Sequence, residues 1–98
     1  MEVINNPDLT HLHIGSALKV LKINATAGMG MPLHHSTKEG VIIVQQGEAR
    51  LKSKNNIFFL QKGSSFLIPA GLEHSLTILK DFKAVVVMAI DSNINFKN

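Results

Sequence analysis

No stretch longer than about ten residues in this chain sustains a helical period. Short apolar runs recur instead, each closed by a turn signal. Leu18-Lys19-Val20-Leu21-Lys22-Ile23 mixes apolar and basic residues at near-strand period, and the glycines and proline of Ala27-Gly28-Met29-Gly30-Met31-Pro32 break it as a bend or bulge. Val41-Ile42-Ile43-Val44-Gln45-Gln46 is β-branched enough to suit a strand buried on both faces. Gly47-Glu48 marks a turn or bulge, and Lys54-Asn55-Asn56 is a hairpin turn in which asparagine tolerates positive φ. Ile57–Leu60, Phe66–Ile68 and Lys83–Ile90 read as further strands, with turns at Gln61–Ser64, Pro69–Gly71 and Lys80-Asp81. In His74-Ser75-Leu76-Thr77-Ile78-Leu79 the alternation places His74, Leu76 and Ile78 on one face. The pattern predicts an all-β sandwich or barrel. Residues 1–15, with the turn signal Asn5-Asn6-Pro7-Asp8, form a polar, irregular N-terminal arm; 16–91 form the barrel; 92–98 form a polar, frayed tail.

Composition limits what such a barrel can do. At 98 residues the chain is one domain, and 45% hydrophobic with 17% charged residues is a globular balance. It has no cysteine, which removes disulfides, thiolate metal sites and cysteine nucleophiles together. The N-terminus has no basic region followed by an apolar one, and the longest apolar run, Ala84–Ile90, is far short of the ~20 residues that span a bilayer. A cytoplasmic protein without membrane contact is expected. The net charge of +3 comes from scattered lysines and one arginine, Arg50. With no dense basic run and no interleaved aromatics, no nucleic-acid partner is expected. Ser64-Ser65 lacks a strand-to-helix elbow, Gly28-Met29-Gly30 lacks the helix of a phosphate loop, and Met29 and Met31 suit packing better than copper ligation.

The chemistry-bearing spacing runs from Gly63 through Pro69 and Gly71 to His74. It resembles the second conserved motif of the cupin superfamily: glycine, five residues, proline, one residue, glycine, two residues, histidine. A first motif precedes it. Gly28 is followed after five residues by His34, and Gly47 closes the segment. Both motifs in order cover residues 28–74. The resemblance implies a single-domain cupin-type β-barrel, also called a double-stranded β-helix or jelly roll, with a degenerate first motif and a tendency to homodimerise.

The same resemblance implies metal ligands at His34 and His74. The second histidine position of the first motif falls on Ser36, and the glutamate position on Gly40. His35 and Glu39 each stand one residue off. On a regular strand a one-residue offset turns a side chain to the opposite face, so a bulge near Ser36–Gly40 is needed to bring Glu39 or His35 inward.

Two readings follow. In the first, His34, Ser36, Ile42, Val44, Phe66, His74 and Leu76 line a pocket for a small organic molecule, in a sensing or binding role with a weak metal site. The two imidazoles then bond to each other, to Ser36 or to Gln45 and Gln46. In the second, His34 and His74 with Glu39 or His35 hold Fe, Mn, Ni or Zn in a dioxygenase or isomerase. A third possibility is a non-enzymatic subunit whose apolar strand faces serve dimerisation. Outside both motifs, His11-Leu12-His13 places two imidazoles two residues apart, where a strand would aim both at one cation; exposed loop histidines are the expectation, with a swapped N-terminal strand as the route to a partner subunit.

Overall fold

Every regular element among the described residues, 7–97 of a computed structural model, is a β-strand. In chain order they are β1 (Asp8–Ile14), β2 (Leu18–Ala25), β3 (Gly30–Ser36), β4 (Gly40–Ser53), β5 (Ile57–Gln61), β6 (Ser65–Ile68), β7 (His74–Ala89) and β8 (Ile94–Phe96). They form one curled all-antiparallel sheet in the order β1-β2-β7-β3-β8, and β4 pairs with β5, β6 and β7. The curl wraps a core in which Phe82, Ile78 and Leu51 are almost wholly buried. None of the described residues belongs to a helix long and apolar enough to cross a membrane.

The two longest strands, β4 and β7, make the closure. Their pairing runs from Gly40↔Met88 to Ser53↔His74, with register shifts between Val44 and Ala49. At that bend Gly47 takes φ +86, and a Cβ there would drive into the Asp81 carbonyl. Only glycine fits, because it alone combines a left-handed backbone with no side chain. Asp81, on the opposing strand, accepts a hydrogen bond from the Ala27 N–H at 3.0 Å, and Lys80 pairs with Glu48.

That geometry corrects the expected turn at Lys80-Asp81: the two polar residues sit on the outside of a bulge, and β7 runs on through them. Val41–Gln46 also differs from expectation. It is not buried on both faces but alternates, with Ile42 and Val44 buried while Ile43 is 41% exposed. The Lys54–Asn56 turn is present, yet among the described residues none other than glycine has positive φ.

Both chain ends are more regular than their composition suggests. Residues 8–14 are a strand, not an irregular arm; all seven side chains are exposed, so β1 is held by its backbone ladder to β2 and carries no alternation to read. Asn5 and Asn6 lie outside the described residues. The expected frayed tail contains β8, which pairs with β3. The sheet therefore extends on both sides of the expected 16–91 barrel.

Candidate functional site

β3 and β7 bring the two motif histidines face to face. His34 and His74 are direct cross-strand partners, with ring centroids 4.2 Å apart and planes inclined by 58°. A register shift between Met31 and His34 accommodates Pro32, which has no N–H to give to the ladder. The shift leaves the Pro32 carbonyl available, and His34 Nδ1–H donates to it at 2.7 Å. His74 repeats the arrangement: its Nδ1–H donates to the Leu72 carbonyl at 2.8 Å. The turn that presents Leu72 depends on Gly71 at φ +76, whose N–H donates to the Ser36 carbonyl at 2.8 Å. The spacing from Pro69 to His74 thus folds a turn that aims one imidazole and ties it to the end of β3.

The hydrogen bonds fix the proton positions. A carbonyl only accepts, so each ring carries its proton on Nδ1 and leaves a lone pair on Nε2. Burial pushes both imidazoles below the ordinary value of 6.5, because desolvation outweighs the backbone hydrogen bond that favours the charged form. Neighbouring imidazoles lower them further, His74 and His35 acting on His34, and His35 on His74. Both rings are therefore neutral at neutral pH. Among the described residues neither Nε2 has a hydrogen-bond partner and no buried side-chain polar atom is sealed off without one, so both open to the cavity.

That cavity holds about 50 Å³ of free space. Leu21, Ile23, Met31, Leu51, Ile68 and Met88 make most of its wall, and its polar side chains among the described residues are His34, Ser36 and His74. No Lys, Arg, Asp or Glu lines it among those residues. Phe96 of β8 stands beside His34 at a ring-centroid distance of 5.2 Å.

His34, Ser36, Ile42, His74 and Leu76 all meet at this cavity. Val44 and Phe66 do not. Val44 is buried in the core where β4 begins to bend, and Phe66 packs on Phe58 with centroids 4.7 Å apart. Leu51 takes the place expected for Val44, because β4 returns to the cavity only after its bulges. Leu51 and Ile68 were findable from strand alternation; Leu9 of β1 and Ile94 of β8, which also line the cavity, were not, since neither end reads as strand. Gln45 and Gln46 are exposed, so the imidazoles bond to main-chain carbonyls instead.

Glu39 and His35 are not brought to the cavity. The bulge in β3 lies before His34, not between Ser36 and Gly40. His35 consequently faces away from the side of the strand that carries His34 and Ser36, opposite Asn95 of β8. Glu39 is exposed in a turn held from the other direction: Thr37 and Asn93 exchange hydrogen bonds at 2.9 Å, and Lys38 pairs with Asp91 at 2.6 Å. Among the described residues no group of three or more His, Cys, Asp or Glu side chains is placed to hold a metal ion. His11 and His13 are exposed, and a bulge between them sets His11 opposite inward Leu21 and His13 opposite outward Val20. They cannot share a cation as two alternate residues of a regular strand would.

No family model matches the chain, and no curated protein matches it. Solved structures do. A double-stranded β-helix protein from Klebsiella pneumoniae superposes with a TM-score of 0.80 at 17% identity, covering 99% of this chain and 90% of that one. A cupin superfamily protein from Desulfitobacterium hafniense gives 0.79 at 16% identity, covering 93% and 84%. The chain has the cupin fold. The DMSP lyase DddQ from Ruegeria pomeroyi also superposes, with a TM-score of 0.82 at 19% identity; this chain spans 94% of its own length and 52% of that enzyme's. Within the cupin frame, His34 and His74 occupy facing strands at one cavity, whereas the positions expected to complete a metal centre hold Ser36 and Gly40.

Proposed function

We propose that this cupin barrel binds a small, largely uncharged organic molecule through His34 and His74, without a complete metal centre. The observation that supports it is the pair of Nε2 lone pairs opening into an apolar cavity with no third ligating side chain beside them among the described residues. Two neutral acceptors and the Ser36 hydroxyl suit a ligand that brings hydrogen-bond donors on an apolar body. A carboxylate or phosphate finds no cation among the described lining residues, and burying it there would cost several kcal/mol. The small free volume suits a ligand that inserts one donor-bearing end and leaves the rest at the mouth. A sensing or binding role in a reducing, cytoplasmic setting fits a chain without cysteine.

The second reading, a metal-dependent dioxygenase or isomerase, draws on the same histidines. An imidazole that donates Nδ1–H to a carbonyl is oriented as metal-ligating histidines are. Yet three imidazoles and a carboxylate do not fit the residues present, since His35 and Glu39 lie elsewhere. Two imidazoles hold a divalent ion weakly, with water or ligand filling the other positions.

Elemental analysis of protein purified without added metal separates the two. The binding reading expects substoichiometric transition metal, and ligand-observed NMR with a panel of neutral alcohols and phenols should show contacts that His34→Ala and His74→Ala abolish. Stoichiometric Fe, Mn, Ni or Zn that survives dialysis and is lost in both variants would overturn it.

A further inference from the structure

The cavity has an open side where the two ends of the strand order face each other. β1 and β8 terminate the order β1-β2-β7-β3-β8, and among the described residues they do not pair with one another. Leu9 of β1 and Ile94 of β8 nevertheless line the same cavity. Register fixes what faces the gap. Directly opposed residues share a face of a sheet. Leu9 therefore points the way of buried Ile23, and Ile14 the way of Lys19 and, beyond it, buried Met88. On β8, Phe96 shares the face of Ile94 and stands beside its partner His34. In a closed barrel these positions would be core. Here Leu9, Ile14 and Phe96 are 39%, 67% and 47% exposed. His11, opposite Leu21, is the polar member of the row. An inward-facing apolar row left open beside a cavity makes a slot that leads out of it.

We propose that this slot holds the hydrocarbon tail of a neutral, single-chain amphiphile whose donor-bearing head sits at His34 and His74. The inference rests on the binding reading above and names its class of ligand. Three observations select it. The free space of about 50 Å³ takes a head of only a few heavy atoms, so the rest of a larger ligand must leave by the open side. Leu9 belongs to both the cavity wall and the slot, so the surface stays apolar along the way out. The head is uncharged, because no cation lines the cavity among the described residues. Lys19, which shares the face of Met88, donates to the Ser92 carbonyl at 2.8 Å. A hydroxyl or a primary amide supplies the donor that the two Nε2 acceptors require. A peptide is a poorer fit: added as a strand to the edge of β1, it would leave the cavity unfilled.

Titration calorimetry with butanol, hexanol, octanol and decanol reads the tail directly. Affinity should rise about fourfold with each added methylene until the slot is filled. Decanoate should bind at least about tenfold more weakly than decanol. His34→Ala should weaken every alcohol alike, whereas Ile14→Ser should flatten the rise with chain length. Phe59→Ser should leave the rise intact, since Phe59 is 69% exposed and lies opposite Arg50, away from the slot. A further measurement needs no variant: decanol should shift the Ile14 methyl signals of the wild type, and butanol should not. A flat chain-length series that still weakens in His34→Ala overturns the slot and leaves the binding reading standing. Alcohols that fail to bind, or that ignore both His34→Ala and His74→Ala, overturn the two together. The amphiphile also falls if decanoate binds as tightly as decanol, if Ile14→Ser keeps the full rise, if Phe59→Ser loses it, or if decanol leaves the Ile14 methyls unmoved. Ligand-free protein at twice the monomer mass, with Ile14 already shielded from a soluble paramagnetic probe, gives the slot to a second copy and overturns the proposal.

Discussion

At the scale of single residues, the orientation of His34 and His74 comes from the main chain. Each accepts no help from a side chain, and each loses its tendency to protonate through burial. The unfolded chain takes up protons near 6.5, whereas the folded rings resist protonation until lower pH. Their contribution to stability is therefore complete above 6.5 and declines as pH falls below it. Urea unfolding midpoints should drop on acidification through this window, and the drop should shrink in His34→Phe/His74→Phe. Imidazole NMR titrations should show both rings titrating below 6.5. Ser36 carries a second expectation. It is buried at the cavity on the same face as His34. Ser36→His should place a third imidazole there and let the barrel retain Zn²⁺ through dialysis that strips the wild type, as read by elemental analysis.

At the scale of elements, the bulge opposite Asp81 is the least replaceable feature. Gly47→Ala meets both a left-handed backbone penalty of about 1–2 kcal/mol and a main-chain collision. Gly71→Ala meets only the first, since none of the described residues lies within 4 Å of its Cβ position. Thermal unfolding should rank Gly47→Ala well below Gly71→Ala in stability. In the core, Phe82→Ala should cost about 3–5 kcal/mol in denaturant unfolding, while the exposed Phe59→Ala should stay within about 0.5 kcal/mol. Elements whose signal lies in side-chain alternation were legible beforehand: His74, Leu76 and Ile78 share an inward face as their spacing requires. β1 was not, because all seven of its side chains are exposed and none marks a buried face, and β8 was not, because three residues are too few for Ile94 and Phe96 to show a period. Lys80-Asp81 misled for a related reason, as polar residues outside a bulge look like a turn. At the site, the motif located both histidines, but their partners are carbonyls, which every residue carries and no motif encodes.

At the scale of the whole molecule, stability should be graded from the β4–β7 ribbon outward. These strands share the longest ladder and the deepest core, whereas β1 pairs, among the described residues, only with β2. Hydrogen exchange should release β1 and β8 amides first and those of β4 and β7 last, near the global unfolding limit. The cavity lies between these regimes, lined by Leu9 and Ile94 from β1 and β8 and by Leu51 and Leu76 from the ribbon. The carbonyls of Pro32 and Leu72 add a different property. Main-chain atoms are present whatever side chain mutation installs, so the wall can be repainted residue by residue while both imidazoles keep the same proton and the same aim. Substitutions in the wall can therefore change what the cavity admits without first losing the pair of acceptors inside it.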